Sequence, residues 1–483
     1  MIEVHDLLQV QSDSAEPLQR QVQRQLREAI LAGRLLPGAV LPASRVLARD
    51  LGLGRNTVIH AYEQLLAEGL VVASRQGTVV AALTRAATPR PAAVAHTPGL
   101  SQRALACERR RTVAQDLLPF MPGIPALDAF PSALWRRLCE RAQRQSSTQD
   151  LSYRHVAGEP ELRQAIATYV RAARGVRCTA DQVLVTDGTQ ASLQLCAQLL
   201  ADPGDRAWIE HPGYGGARTA LSQAGLQLQP VTVDEHGLNP PAAWWRERPP
   251  RLIYTTPSHQ YPLGAVMPLQ RRLALLEGAR QAGAWVLEDD YDSEFRHDGP
   301  PLPALQGLSD DAPVVYLGTF SKSMFPSLRL GFIVLPPAVA DRAVASAADL
   351  CRRGHAPLQR ALAEFIHDGH FAAHLRRMRR LYRERQQALR EALSRHWSLP
   401  HACVGGRCGM HLVMSLPAGV DDAALARDAL AAGLSPRPLS VYGTGGIGGF
   451  NGLVMGYAHT RAEAMATHVR TLDRLAVVHS RRR

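Results

Sequence analysis

Of the 55 Lys and Arg residues all but one are arginine, and the single lysine, Lys322, stands in Gly318-Thr319-Phe320-Ser321-Lys322 directly after an apolar run. A guanidinium keeps its proton at any accessible pH, whereas an amine can lose it and attack a carbonyl. One lysine kept in a chain that otherwise uses arginine points to Schiff-base chemistry at Lys322. The bland alternative is chance survival under a GC-rich coding bias.

If the carbonyl belongs to pyridoxal phosphate (PLP), the lysine needs an acid at the pyridine nitrogen, a donor at the ring oxygen and a cradle for the phosphate. The acid is expected at Asp289 in Leu287-Glu288-Asp289-Asp290-Tyr291-Asp292, with Asp290 as its rival, and Tyr291 can donate to the ring oxygen. The turn Thr186-Asp187-Gly188-Thr189-Gln190 lies between an expected strand and helix. Backbone N–H groups at such a helix start favour an anion, and Thr319, Ser321 and Arg329 can complete the cradle. Tyr214 can stack on a ring, and Tyr261 follows in Ser258-His259-Gln260-Tyr261-Pro262. Either tyrosine can equally serve as a core aromatic with its hydroxyl satisfied.

These groups need a scaffold. Short apolar runs at Val183-Leu184-Val185, Ala207-Trp208-Ile209, Leu252-Ile253-Tyr254, Trp285-Val286-Leu287, Val314 to Leu317 and Phe332 to Leu335 alternate with longer amphipathic stretches. That alternation predicts an α/β domain with a mostly parallel sheet, whose strand ends at Asp289 and before Lys322 are where open sheets bind ligands. An Arg-rich helical pattern from Leu358 to Trp397 precedes a last α+β portion ending near Leu475.

The first eighty residues read differently. Leu18, Val22, Leu26, Ile30 and Leu31 recur at helical spacing before Gly33, and Ser44 is placed to cap a helix over Arg45 to Leu51. After the turn Gly52 to Gly54, a helix is expected over Arg55 to Glu68, then a hairpin from Val71-Val72 and Thr78-Val79-Val80 around Gly77. Two helices, a Gly turn and a hairpin make a winged helix-turn-helix. Arg55 and Asn56 suit guanine and adenine edges, Ser44, Arg45 and Thr57 suit phosphates at helix starts, and Arg75 at the wing tip can reach a minor groove or phosphate. The plain alternative is a helical hairpin with a solvated basic face.

The strings Pro17-Leu18-Gln19, Gly33-Arg34-Leu35-Leu36-Pro37-Gly38, Leu41-Pro42-Ala43-Ser44-Arg45, Arg55-Asn56-Thr57-Val58 and Leu65-x-x-Glu68-Gly69 resemble the DNA-binding domain of the GntR family. Gly54 departs from it, standing where that family usually has a serine-like cap. Asp202-Pro203-Gly204-Asp205, Thr256 to Pro262, Glu288 to Phe295 and Gly318 to Lys322 through Pro326 to Gly331 resemble the MocR subfamily, whose second domain has the fold type I aminotransferase fold. The resemblance implies a PLP aldimine at Lys322, Asp289 at the ring nitrogen, Tyr291 at the ring oxygen and Arg329 at the phosphate. It further implies effector sensing, binding to promoter DNA and a homodimer that is commonly domain-swapped and head-to-tail.

True aminotransferases have an Asn-Pro-Thr-Gly turn where this chain has Tyr261 and Leu263. Their carboxylate-gripping arginine has no counterpart in Gly452 to Ala458; Arg218 and Arg437 are the substitutes expected to bind an effector carboxylate. Three functions are thus in play: a regulator that senses an amino compound or PLP itself, an active aminotransferase, and a DNA-binding protein whose large domain is a scaffold. The expected domains are residues 1–80 for DNA binding, 81–112 as an Ala/Pro-rich linker and 113–483 for cofactor and effector.

Composition agrees with this outline. The formal net charge of +12 suits a polyanionic partner without demanding one. Seven scattered cysteines without a C-x-x-C pair fit neither a disulfide framework nor a zinc site, and no metal is expected. Neither a signal-like start nor a long uncharged run is present, so a cytoplasmic protein is expected.

Overall fold

The computed structural model describes residues 4–82, 99–105, 117–297, 299, 302–350, 354–443 and 449–481. The chain divides into two compact units, Met1–Gly99 and Leu100–Arg483. Most of the expected linker lies outside the described residues; of its described part, Gln102–Leu105 form one helical turn whose Arg103 exchanges hydrogen bonds with Gln223.

In the first unit, α1 (Leu18–Leu31), α2 (Ser44–Asp50) and α3 (Arg55–Ala67) precede a hairpin of β1 (Val71–Ser74) and β2 (Gly77–Val80). Val22, Leu26, Ala29, Leu47, Val58, Ala61 and Leu65 close one small core. Leu31, read as part of the apolar stripe, is 53% exposed, because Ala29 and Ile30 already fill that end of the helix. The Tyr62 hydroxyl donates to the Pro42 carbonyl at 2.8 Å and ties α3 to the entry of α2. Ser44 was expected to cap α2, but it is the first helical residue, and Ala43 holds the cap position without a side-chain bond.

The second unit is built on an eight-stranded sheet: β3 (Val183–Thr186), β4 (Arg206–His211), β5 (Gln227–Asp234), β6 (Gly237–Leu238), β7 (Leu252–Thr255), β8 (Trp285–Asp290), β9 (Val314–Thr319) and β10 (Gly331–Val334). Their order is β3-β10-β9-β8-β7-β4-β5-β6. β5, β4, β7, β8 and β9 run parallel, whereas β10 is antiparallel to both neighbours and β6 to β5. Antiparallel β10 between β9 and β3 gives β3 the direction of the parallel set, so the carboxyl ends of β3, β4, β7, β8 and β9 share one edge. The strands are buried on both faces, which is why they read as continuous apolar runs. Leu184, Leu252, Leu287, Val315 and Ile333 pack on one side, while Ile253, Val286 and Val314 pack on the other.

A second sheet of β11 (Cys403–Val404), β12 (His411–Ser415), β13 (Arg437–Pro438) and β14 (Gly452–Gly456) is antiparallel throughout. The expected single helix over Leu358 to Trp397 is two, Ala356–His367 and His370–His396. Gly369 at φ +77° breaks it, a conformation available to glycine at no steric cost. The last helix runs on to Ser480, beyond the expected end near Leu475. The five cysteines among the described residues that the structure records are free, and Cys107 and Cys351 lie outside those residues. No helix among the described residues is long and apolar enough to cross a membrane.

Candidate functional site

The shared strand edge opens on a cavity of about 580 Å³. Each loop that follows a strand there contributes to it: Gly188, Thr189 and Gln190 after β3, Tyr214 after β4, Tyr261 after β7, Tyr291 after β8, and Ser321 and Lys322 after β9. Asp289 and Thr319 line it from the strands themselves, and Arg329 from the turn before β10. All the residues expected to hold a cofactor therefore meet, together with Arg218 and Arg437.

Lys322 Nζ donates to the Gly123 carbonyl at 2.8 Å. That carbonyl arrives from a segment far upstream in sequence, held by an isolated bridge between Phe120 and Gly456 and by Ser435 N donating to Pro119 O. A side chain at Gly123 would sit 3.0 Å from Nζ, so the backbone lies directly against the amine.

The rivalry between the two neighbouring acids is decided by the alternation of β8. Asp289 faces the cavity and accepts from the Tyr254 hydroxyl at 2.7 Å. Burial pushes its carboxyl up to about 7, with Asp290 and Glu210 adding to the rise while Tyr254 and Lys322 oppose it. Asp290 is turned away and pairs with the Arg174 guanidinium at 2.6 Å and the Tyr316 hydroxyl at 2.6 Å. Burial raises that carboxyl too, but Arg174, Ser293 and Tyr316 outweigh it and leave it below the ordinary value.

Behind Tyr261, a buried network shapes the loop. Glu210 accepts from Thr255 Oγ1 at 2.7 Å, Thr256 N at 2.9 Å and Gln260 Nε2 at 3.2 Å. The Tyr261 hydroxyl then meets that of Tyr442 at 2.8 Å, and its ring stands edge-on to Tyr214, 6.1 Å away.

At the other end of the cavity, Gly188 is the amino cap of the helix α4 (Thr189–Leu200), whose first N–H groups have no intrahelical partner. Ser321 N donates to Thr319 Oγ1 at 3.2 Å, and Gln190 Nε2 to the Gly216 carbonyl at 2.9 Å. Arg329 holds a left-handed φ of +54°, uncommon for a side-chain-bearing residue and therefore a conformation the surrounding turn must impose.

An amine, a buried acid, several phenols and a helix start around one cavity form a donor set that fits PLP. Sequence reasoning missed Gly123, Tyr254, Asp292, His411 and Tyr442, which also line the cavity. Tyr254 had a usable signal, since it stands one residue before the end of a strand parallel to β8, and Asp292 directly follows Tyr291; Gly123, His411 and Tyr442 come from segments remote in sequence.

In the first unit, Arg55 and Asn56 stand exposed on the first turn of α3, Arg45 on that of α2 and Arg75 at the hairpin tip, with Ser44 and Thr57 half-buried. These side chains are available to an external surface.

Residues 18–80 match the profile of bacterial regulatory proteins of the gntR family, and residues 127–446 that of aminotransferase class I and II. The chain is 44% identical over 449 residues, 90% of its length and 89% of the other's, to the "Probable rhizopine catabolism regulatory protein MocR" of Rhizobium meliloti. It is 33% identical over 445 residues, 90% of its length and 91% of the other's, to the pyridoxine biosynthesis transcriptional regulator PdxR of Corynebacterium glutamicum. The crystal structure of the α-aminoadipate aminotransferase LysN from Thermus thermophilus, complexed with N-(5'-phosphopyridoxyl)-L-leucine, superposes with a TM-score of 0.70 at 31% identity, covering 79% of this chain and 97% of that one. The chain therefore belongs to the MocR type of GntR regulators, with an amino-terminal helix-turn-helix domain joined to a fold type I aminotransferase domain.

Proposed function

We propose that this protein is a PLP-dependent transcription regulator that senses an amino compound, or PLP itself, at Lys322 and changes its binding to promoter DNA in response. The observation that carries the reading is the position of the chain's only lysine, in a cavity with Asp289, Tyr291 and the start of α4, on the same chain as a gntR-type domain. The cofactor, when bound, supplies an aldehyde for Schiff-base exchange between Lys322 and an effector amine.

The chain's own residues do the rest. The Asp289 carboxylate would keep the ring nitrogen protonated, the N–H groups at the start of α4 would take the phosphate with Thr319, Ser321 and Arg329, and Tyr214 would cover the ring. Arg218 and Arg437 bind the carboxylate of an effector that carries one. Arg55 and Asn56 read base edges, while Ser44, Arg45, Thr57 and Arg75 take the backbone. A domain-swapped, head-to-tail homodimer in the cytoplasm completes the proposal, supported by the family resemblance. Regulation follows if the effector-bound and effector-free states differ in affinity for DNA.

An active aminotransferase is the second reading, favoured by 34% identity over 368 residues to the 2-aminoadipate transaminase of Thermus thermophilus, spanning 74% of this chain and 89% of that protein. Tyr261 and Leu263 in place of the usual asparagine and threonine argue against efficient turnover. Visible spectra of the purified protein with PLP, beside Lys322→Ala, test the proposal. A band near ~420 nm, expected for a lysine Schiff base of this cofactor, should vanish in the variant. The same band with rapid oxo-acid formation from amino acids would favour the enzyme, and no band in either protein would favour a scaffold.

A further inference from the structure

Behind Tyr291 lies a pair of buried groups that the proposed function does not use. His259 and Asp292 are 2% and 1% exposed. His259 Nδ1 lies 2.9 Å and 3.1 Å from the two carboxylate oxygens of Asp292, and 3.0 Å from the Tyr291 hydroxyl. The imidazole and phenol rings are stacked, 25° apart in plane, and His411 tilts against His259 with centroids 5.1 Å apart. A side chain at Gly409 would lie 2.2 Å from His259 Cε1 and 2.3 Å from Asp292 Oδ2, so a backbone at φ +81° without a Cβ is what admits the pair.

One nitrogen cannot serve both neighbours in the same way, since Nδ1 carries either a hydrogen or a lone pair. Were Nδ1 bare, it would face the Asp292 carboxylate lone pair to lone pair. The hydrogen would then sit on Nε2, which has no hydrogen-bond partner among the described residues. A buried N–H left unsatisfied is costly, and so is that repulsion. With the hydrogen on Nδ1, Asp292 accepts it and Tyr291 can share it only as an acceptor. The Tyr291 hydroxyl therefore keeps its own hydrogen for the cavity that its side chain lines.

We infer that His259, oriented by Asp292, is a positioning residue that fixes the Tyr291 hydroxyl as a donor directed into the cavity, toward the ring oxygen of a bound cofactor. The inference rests on the PLP reading above. Hydrogen bonding to that oxygen withdraws electron density from the ring and makes the Schiff-base nitrogen less basic. Losing an oriented donor thus raises the pH at which that nitrogen titrates.

The test is a spectrophotometric pH titration of the cofactor-loaded full-length protein. His259→Phe removes the nitrogen and should raise the midpoint by about one unit, a tenfold change in proton affinity. Tyr291→Phe should raise it at least as far, and the double variant no further, because the two residues act as one device. His259→Asn places an amide N–H near the position of Nδ1 and should restore the midpoint. Should His259→Phe not fold, Asp292→Asn takes its place: Nδ1 then competes for the tyrosine hydrogen and the midpoint rises, whereas loss of a nearby negative charge alone would lower it. A midpoint unmoved in His259→Phe while Tyr291→Phe moves it, or a fall in Asp292→Asn, overturns the inference and leaves the PLP reading standing. No titrating band in the unsubstituted protein overturns both.

Discussion

In the amino-terminal unit Arg45, Arg55, Asn56 and Arg75 stand in solvent at helix starts and a hairpin tip, whereas in the second unit Asp289 is 4% exposed and already held by Tyr254, and Lys322 is already bonded to Gly123. The first arrangement keeps its side chains hydrated, so binding to a polyanion through them would fall with salt. The second has given up its water in advance and is held by groups that are themselves held. Substitutions should therefore separate: those in the first unit change binding without changing stability, and those around the cavity change both.

The largest expected effect is at the support of the cavity. Arg174→Met leaves the Asp290 carboxylate buried beside Tyr316 without its cation, and breaking such a pair costs about 3–5 kcal/mol. Denaturant unfolding monitored in the second unit checks this; a loss below about 1 kcal/mol would mean that the pair is not structurally dominant. Next is the pH dependence set by Asp289. Its folded pKa of about 7 lies above the ordinary 3.8, so the folded state binds the extra proton. Its contribution to stability is then complete below about pH 4 and is lost as pH rises toward 7. At about 1.4 kcal/mol per unit this amounts to on the order of 4 kcal/mol. In cofactor-free Asp289→Asn the stability curve should be flatter across that range, and an unchanged slope would rule the assignment out.

In the first unit, Arg55→Ala should weaken binding to a specific operator by about 1–3 kcal/mol if the guanidinium reads a base edge. The thermal midpoint should stay where it was, since the side chain is exposed. A uniform loss on all sequences, with a shallower salt dependence, would reassign Arg55 to the phosphate backbone.

The same contrast explains which features are legible in the sequence. The helix-turn-helix is local: its turn residues, apolar stripe and the side chains expected to read bases lie within eighty residues, and among its structural details the cap at Ser44 and the exposure of Leu31 were misjudged. The parallel strands were visible as apolar runs because both faces are buried, but β5, with Gln227 and Gln229 among its residues, carries no such run. In the cavity, most groups at the strand ends were legible, whereas Tyr254 near the end of β7 reads only as part of an apolar run. Gly123, His411 and Tyr442 were not legible, because only tertiary folding carries them to Lys322. Asp289 and Asp290 were indistinguishable in one acidic string, and the side-to-side alternation of β8 separates them. His259 and Asp292 were present in quoted motifs, yet nothing in either string says that they touch.

The smallest effect sharpens the comparison from the other side. Gly54 caps α3 with φ −67° and ψ 137°, the backbone that a serine cap adopts, and a Cβ there would meet only Thr57 Oγ1 at 3.8 Å. Gly54→Ser therefore fits without strain and supplies an oxygen for the N–H of Asn56 or Thr57. Because glycine is itself a tolerable cap, the expected gain is a few tenths of a kcal/mol, seen as a slight rise in the unfolding midpoint of the first unit. If operator affinity rises with it, fraying at the start of α3 was holding back Arg55 and Asn56. If stability rises and affinity does not, those side chains are ordered by DNA alone, as their exposure implies.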